Sequence, residues 1–179
     1  PKKASNKCIR ITDGEIKRTI SNIVSPSVFS AWIFLPDYKT YKKDKQYDAT
    51  IFKLVNMNYP TDPTSISLKT DSTGKLYINE VENGATNPMI INHYSNTVIP
   101  KNIWFYLSWA MGSTSSNQTE HNVFLNTVEI MNTTSNRIGG SRIFSMGPIN
   151  VQLKCCQIWK QQTMNDIFRW FQFEDSLKE

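Results

Sequence analysis

The chain has 179 residues, of which 39% are hydrophobic and 12% aromatic, and it carries a formal net charge of +5 at a pI near 9.1. This length and composition suit one domain with a hydrophobic core and argue against an intrinsically disordered chain. No apolar run approaches the roughly 20 residues that span a bilayer, so direct membrane insertion is not expected. Only 5 arginines are present, which disfavours nucleic acid binding because arginine makes most bidentate base and phosphate contacts.

Strand signals dominate the first half of the chain. Ser27–Pro36 is apolar on both faces, which is typical of a central strand that is covered on both sides. A lysine-rich loop separates it from a partner strand at 49–57. Residues 65–82 alternate around a turn supplied by Asp71 and Gly74, and this pattern predicts a β-hairpin.

The second half continues the pattern and ends in one helix. Further strands are predicted at 89–94, 99–112 and 122–131, and one or two strands at 141–159. A polar turn is predicted between the second and third of these, and it contains His121. Thr163 and Asp166 form a capping-box pattern, followed by an apolar face at Ile167, Trp170 and Phe171, which predicts a short helix.

These elements predict the fold class. About ten to twelve short strands with regular turn punctuation indicate an all-β, two-sheet antiparallel jelly-roll sandwich with one short C-terminal helix. No repeat or linker divides the chain, so 1–179 is interpreted as a single domain. Because the first residue is Pro1 rather than Met, we expect this domain to be a piece of a larger protein.

Four segments, taken in order, resemble the concanavalin A-like lectin/glucanase superfamily, in its laminin G-like and pentraxin-like branch. The segments read SVFSAWIFLPD, IPKNIWFYLSWAMG, NVFLNTVEI and GPINVQLKCCQIWKQQTMNDI, and the resemblance covers roughly residues 20–172. It implies a sandwich that recognises glycan or protein. The family often has acidic, calcium-binding residues in its last strand, where this chain has Lys154 and Cys155. A lysine does not ligate calcium, so no cofactor or metal is expected and calcium is disfavoured.

Catalysis on this fold needs suitably placed acids or a histidine mechanism. Glycoside hydrolysis requires two carboxylates about 5–10 Å apart, and no alternating run of three acids is present. Glu80 and Glu82 share a face, but they lie at the far end of the predicted hairpin and are interpreted as surface acids. His93 and His121 are the only histidines, and no catalytic motif surrounds either. The chain is therefore interpreted as non-enzymatic.

The aromatic run at 104–109 offers two interpretations. Alternation places Ile103, Phe105, Leu107 and Trp109 on a uniformly apolar face that suits the core. Trp104 and Tyr106 share the other, partly polar face, where they either pack against a second layer or stack on a sugar ring. Trp104, Tyr106 and His93 are the ligand-binding candidates.

Cysteines and sequons provide the remaining candidate sites. If the first and last strands pair, as is common in a jelly roll, Cys8 approaches Cys155 or Cys156, and Cys156 is the better disulfide partner because it shares a face with Ile158. A vicinal Cys155–Cys156 bridge and three free thiols remain alternatives. Asn117 and Asn132 lie in Asn-x-Ser/Thr sequons and are glycosylation candidates, although about as many sequons are expected by chance.

Together these observations predict a non-catalytic recognition or adhesion module. It is expected to be extracellular or at the cell surface, to bind a glycan or protein partner, and to have neighbouring domains or an assembly around it. A structural sandwich unit in a large assembly, with no small-molecule ligand, is the alternative. A degenerate or unrecognised glycan-active enzyme is a third.

Overall fold

The computed structural model describes residues 16–20, 27–35, 49–56, 65–71, 73–82, 89–114, 116, 118–135, 142–146 and 152–160, with interruptions at 115 and 117. For 16–20, 27, 49, 56, 82, 113, 142–146 and 152–160 the description is limited to the backbone. The short helix predicted after Thr163 lies outside these ranges, as do Cys8 and Asn117.

The described residues form antiparallel strands and contain no helix. The strands are β1 (Ile16–Ile20), β2 (Ser27–Phe34), β3 (Ala49–Asn56), β4 (Ser65–Thr70), β5 (Lys75–Glu82), β6 (Met89–Val98), β7 (Trp104–Ser113), β8 (Thr119–Leu125), β9 (Val128–Ser135), β10 (Arg142–Met146) and β11 (Gln152–Lys160). Among these residues there is consequently no helix that could cross a membrane.

Two sheets make up the sandwich, and the predicted all-β jelly roll is confirmed. The six-stranded sheet has the order β1-β10-β3-β4-β5-β6, and the five-stranded sheet has the order β11-β2-β7-β8-β9. Strands β6 and β9 therefore lie at sheet edges among the described strands. Hydrogen bonding joins these two edges, because Ser95 Oγ on β6 donates to the carbonyl oxygen of Ile130 on β9 at 2.7 Å.

The core lies between the sheets and is built by alternation along each strand. On β2, Phe29, Ala31 and Ile33 point into it, and on β7 Phe105, Leu107 and Trp109 do the same. Phe52 from the opposite sheet stacks on Trp109 with ring centroids 6.5 Å apart. The core interpretation of this half of the aromatic run is confirmed, and each buried aromatic contributes roughly 2–3 kcal/mol. Ile103, which was predicted on the same face, precedes β7 and is exposed.

The predicted β4–β5 hairpin is confirmed, with its turn at Asp71 and Gly74. Gly74 has a φ of 87°, a backbone conformation that glycine adopts without a steric penalty. Asp71 Oδ1 accepts hydrogen bonds from the Thr73 amide (2.9 Å), the Thr73 hydroxyl (2.6 Å) and the Lys75 amide (3.0 Å). The side chain of Asp71 therefore closes the turn and fixes where β5 begins.

Two sequence interpretations around β8 need correction. The expected polar turn at 112–122 is shorter, because β8 already begins at Thr119, and His121 is buried within it. The segment at 122–131 is two strands joined at Asn126–Thr127. Asn126 takes a φ of 56°, and its side-chain Oδ1 accepts a hydrogen bond from the Tyr106 amide at 3.1 Å. Asparagine tolerates this left-handed backbone, so a tight turn forms without the usual Asn-Gly pair.

Strand β11 carries the neighbouring cysteines in a β-bulge. Lys154 pairs with Trp32 and Gln157 with Ser30, so Cys155 and Cys156 together oppose one residue of β2. The assumed pairing of first and last strands is not observed among the described strands, since β1 pairs with β10 and β11 with β2. The Cys8–Cys156 disulfide stays a prediction, because Cys8 lies outside the described residues.

Candidate functional site

The part of the five-stranded sheet's outer face that β2 and β7 form, where Tyr106 lies, is largely closed to solvent. Tyr106 is 0% exposed and packs against Trp32 with ring centroids 5.5 Å apart. Ser30 and Ser108, which share this face, are also buried. A fully buried ring offers no surface to a sugar, so the structure does not support Tyr106 as a ligand-stacking residue. Trp104 lies at the margin, half-buried against Phe34 at 5.6 Å, and its ligand-binding role stays a prediction.

His93 lies on β6, and its side chain contacts β9 of the other sheet at the edge where these two strands meet. Its Nδ1 is 3.2 Å from Thr133 Oγ1 on β9, and its Nε2 is 3.7 Å from a carboxylate oxygen of Glu80 on β5. The side chain is partly buried and points away from the outer face of its own sheet. The structure therefore does not bring the three predicted ligand residues together, and the bridging contacts give His93 a structural role.

His121 is the centre of a buried polar chain inside the sandwich. The indole Nε1 of Trp109 donates to its Nδ1 at 3.1 Å, which leaves the proton on Nε2, 2.6 Å from Ser135 Oγ. Burial, with a smaller contribution from the charge of His93, lowers the pKa of His121 to about 3. The ring is therefore neutral at physiological pH, and its interior position gives it a structural role in the sandwich.

The acids considered for catalysis do not form an accessible pair. Glu80 is buried and points between the sheets toward His93, so it is not the surface acid that the sequence predicted. The side chain of Glu82 is not described, but its backbone lies opposite Met89 in the register, while Glu80 lies opposite Ile91. Among the described residues, no three His, Cys, Asp or Glu side chains come together as a metal site would require.

The outer face of the six-stranded sheet carries polar and aromatic side chains that reach solvent in the described part of the chain. Strand register aligns Lys53 on β3 with Ser67, Asn79 and Asn92 on the next three strands. We call this alignment the amide row. Within this row the side chain of Ser67 is buried. Near the sheet edge, Asn79 Nδ2 donates a hydrogen bond to Asn92 Oδ1 at 2.8 Å. The row therefore presents amide donors and acceptors to solvent next to a hydroxyl.

A tyrosine pair lies beside the amide row, two residues further along the same strands and therefore on the same face. Tyr77 and Tyr94 oppose each other in the register and stack with ring centroids 4.9 Å apart at an interplanar angle of 29°. Tyr94 is 51% exposed, so part of its ring faces solvent. The Lys75 ammonium lies 5.5 Å from the Tyr94 ring centroid, within the range of a cation–π contact.

The Asp71 turn holds this surface in place. Partial burial alone would raise the pKa of Asp71, but hydrogen bonds from Thr73 and Lys75 and the charge of Lys75 outweigh it and lower the pKa. The carboxylate is therefore ionised at neutral pH, and its hydrogen bonds are made within the turn.

On the other side of the amide row, Val81 lies opposite Ile90 and forms an aliphatic margin. We refer to Tyr77, Asn79, Asn92 and Tyr94 together as the tyrosine–amide patch.

Sequence reasoning missed this patch although a signal for it exists. Strand β5 alternates Leu76 and Ile78 in the core with Tyr77 and Asn79 outside, and β6 continues the alternation to Val98 rather than ending at Tyr94 as predicted. What the sequence does not provide is the register between β5 and β6, which are paired strands separated in sequence by residues 83–88. Only the register shows that the two tyrosines stack and the two amides bond.

Comparisons with known proteins bear on the fold. No family model and no curated protein sequence matches the chain. Solved structures do match. A pentraxin from Limulus polyphemus is 12% identical, covers 92% of this chain and 76% of its own, and has a TM-score of 0.53. A galectin from Caenorhabditis elegans is 10% identical, covers 85% and 95%, and has a TM-score of 0.54.

A third match is the CBM40 domain of a sialidase from Ruminococcus gnavus, solved with α2,3-sialyllactose. It is 8% identical, covers 89% of this chain and 96% of its own, and has a TM-score of 0.54. Enzymes, including a lyase and a glucanase, are also among the matches. The expected resemblance to the concanavalin A-like superfamily is confirmed for the fold, which this chain shares with carbohydrate-binding modules and with enzymes.

Proposed function

We propose that this chain is a non-catalytic glycan-binding module that binds sugar on the tyrosine–amide patch. One observation carries the proposal: the exposed Tyr94, stacked on the half-buried Tyr77, lies directly beside a hydrogen-bonded pair of asparagines on the same sheet face. Sugar rings combine an apolar C–H face with a rim of hydroxyl groups. An aromatic ring packs against the first, and amide groups donate to and accept from the second.

The rigidity of the patch supports binding. The four side chains project from two successive outward positions on each of the paired strands β5 and β6. Backbone hydrogen bonding between these strands therefore fixes their spacing before a ligand binds. The Asn79–Asn92 bond and the Tyr77–Tyr94 stack restrict the rotamers further. A preorganised surface loses less side-chain entropy on binding, which matters for ligands as weakly held as single sugars.

The structural matches support the ligand class. Galectins and carbohydrate-binding modules occur among them, and the CBM40 structure contains a bound sialylated sugar. The position of Glu80 supports a non-catalytic module. It faces inward, and the described outer face of β3–β6 shows no pair of carboxylates spaced by about 5–10 Å as glycosidases require.

An extracellular or cell-surface location is part of the proposal. Asn132 is exposed and lies on the outer side of edge strand β9, where its Nδ2 donates to Glu120 Oε1 at 3.3 Å. A glycan on Asn132 would project from the five-stranded sheet and leave the tyrosine–amide patch open. Asparagine modification at this position is therefore compatible with glycan binding.

A glycan array with the wild-type chain, followed by calorimetry on two variants, tests the proposal. We expect at least one saccharide to bind, and Tyr94→Ala and Asn92→Ala each to weaken that binding about tenfold or more. Because both side chains are exposed, their unfolding free energies should change by less than about 1 kcal/mol. Asn132→Ala is the matched control, because it removes an exposed amide side chain from the other sheet. All proteins are expressed in a bacterial host, so that Asn132 carries no glycan in the wild-type chain.

Two results would contradict the proposal. One is an array on which no saccharide binds above background. The other is a saccharide whose affinity is unchanged by Tyr94→Ala and Asn92→Ala, since binding would then occur elsewhere.

A protein partner is the second candidate, and one observation favours it. Edge strand β6 exposes Met89, Ile90 and Val98, at 49%, 63% and 58%. An edge strand with apolar side chains invites pairing with another chain. This candidate corresponds to a structural unit in an assembly. If it holds, Ile90→Lys with Val98→Lys will abolish any self-association in light scattering and leave saccharide binding in place.

A further inference from the structure

Lysines surround the tyrosine–amide patch. Lys53 occupies one end of the amide row, half-buried beside Ser67. Lys69 lies opposite Tyr77, and Lys75 lies over the ring of Tyr94. Neighbouring strands are about 4.8 Å apart, so the row from Lys53 to Asn92 spans roughly 14 Å and places these charges within one ligand's length.

Carboxylates are turned away from the same face. Glu80 points inward to His93, and Asp71 is held by the Thr73 and Lys75 amides in its turn. Glu120 and Glu129 are on β8 and β9, in the other sheet. Asp71 interacts with the Lys75 charge from within its turn, but among the described residues no carboxylate lies within ion-pair distance of Lys53 or Lys75. Across the described part of β3 to β6, the outer face is therefore positive.

We infer that the patch selects saccharides that carry an anion, either a carboxylate or a sulfate, over their neutral counterparts. This inference rests on the proposed function and adds the ligand class. The tyrosines and asparagines bind features that every sugar has, so they cannot discriminate by charge. Lys53 and Lys75 supply the discrimination, because an ammonium group binds either anion as a point charge.

The size of the expected preference for an anionic saccharide follows from the strength of exposed ion pairs. Such a pair changes an equilibrium constant by about twofold to fivefold at moderate salt, and screening removes most of that effect at high salt. Two lysines acting together therefore give roughly a tenfold preference in low salt. Neutral sugars should depend little on Lys53, since it lies three strands from Asn92 at the other end of the amide row.

Matched saccharide pairs test the inference by calorimetry or NMR titration. The carboxylate pair is β-1,4-linked triglucuronic acid against cellotriose, and the sulfate pair is lactose 3′-sulfate against lactose. We expect the anionic member of at least one pair to bind at least fivefold more tightly at 50 mM NaCl and less than twofold more tightly at 500 mM. The pair that shows the preference identifies the anion.

Lysine variants assign the preference to this face. Lys53→Gln and Lys75→Gln should each reduce affinity for the anionic sugar about threefold to fivefold, and Lys53→Gln, at the far end of the amide row from Asn92, should leave the neutral affinity within twofold. Val128→Glu is the control: it lowers the net charge by the same unit at an exposed position of β9, in the other sheet, and should leave the preference within twofold.

The outcomes separate the two proposals. Equal binding of the neutral and anionic members in both pairs overturns charge selection and leaves glycan binding intact. A preference that survives both lysine variants also overturns it. Failure of every saccharide, on the array and in both pairs, overturns glycan binding and this inference with it.

Discussion

The two sheets of this sandwich differ in what their outer faces expose. On the five-stranded sheet, the outward side chains of Val28, Trp32 and Tyr106 are buried, so the part of this face that β2 and β7 form has the character of a second core. On the six-stranded sheet, Tyr94 and Asn92 face solvent beside a buried serine. Aromatic residues occur on both faces, and it is their exposure that separates a stabilising role from a binding role. Four experiments break or sharpen this contrast.

The largest effect is expected from the same substitution made on each face. Tyr106→Ala removes a fully buried ring packed on Trp32 and should lower the free energy of unfolding by about 3–5 kcal/mol. Tyr94→Ala removes an exposed ring and should lower the free energy of unfolding by less than about 1 kcal/mol while weakening sugar binding about tenfold or more. Urea denaturation of both variants measures the difference. Equal destabilisation would show that the two faces are not distinct.

Acid pH should destabilise the fold through His121. The pKa of His121 is about 3 in the folded chain and about 6.5 in the unfolded chain. Between these two values the unfolded state binds a proton at His121 and the folded state does not. Stability therefore falls as pH decreases, by about 3 kcal/mol from this group between pH 7 and pH 4. Denaturation midpoints across this range measure the loss.

Saccharide binding at the outer face of the six-stranded sheet should not follow the pH dependence of stability, and this provides a control. The tyrosine–amide patch contains no histidine, so affinity for a neutral saccharide at pH 5.5 should stay within twofold of its value at pH 7. The His121→Gln variant, which cannot titrate, should show a shallower decline of stability with acid. An unchanged slope would remove His121 as the cause.

The β4–β5 turn should respond with an intermediate effect. Gly74→Ala places a Cβ 3.2 Å from Lys101 Cε and 3.3 Å from the Ile99 carbonyl oxygen, at a φ of 87°. We expect a loss of about 1–2 kcal/mol in unfolding free energy, from backbone strain and crowding together. Thermal denaturation measures it, with the exposed Thr73→Ala as a milder neighbouring change. A fully stable Gly74→Ala chain would mean that the turn relaxes at no cost.

The smallest effect is expected from Tyr94→Phe. The ring remains, so both the Tyr77 stack and the face offered to a sugar are preserved. Affinity should stay within about twofold and unfolding free energy within about 0.5 kcal/mol. If this variant binds as poorly as Tyr94→Ala, the phenol hydroxyl rather than ring stacking carries recognition.

The sandwich itself was accessible from local patterns. β2 was recognisable because both its faces are apolar, and the hairpin at 65–82 because Asp71 and Gly74 are strong turn formers between alternating runs. His121 was misplaced because its neighbours Thr119, Glu120 and Asn122 are polar and resemble a turn. A buried partner such as Trp109 Nε1, which makes a histidine acceptable in the interior, is invisible in a single strand.

The candidate site was less accessible, for a physical reason. Tryptophan attracts attention as a sugar-binding residue, but in this chain Trp32 and Trp109 are buried and stabilise the sandwich. The patch instead uses tyrosine and asparagine, which are ordinary surface residues until strand pairing brings Tyr77 to Tyr94 and Asn79 to Asn92. That pairing depends on register, a property of two strands together.

Mapping a bound saccharide onto the sheet faces tests the central claim most directly. A uniformly ¹⁵N-labelled chain is titrated with the tightest-binding sugar from the array, and amide shift changes are followed by NMR. We expect the largest changes at β4, β5 and β6, centred on Asn79 and Asn92, with β2 and β7 unaffected. Changes centred on Trp104 and the outer face of β7, with Asn79 and Asn92 silent, would contradict the account.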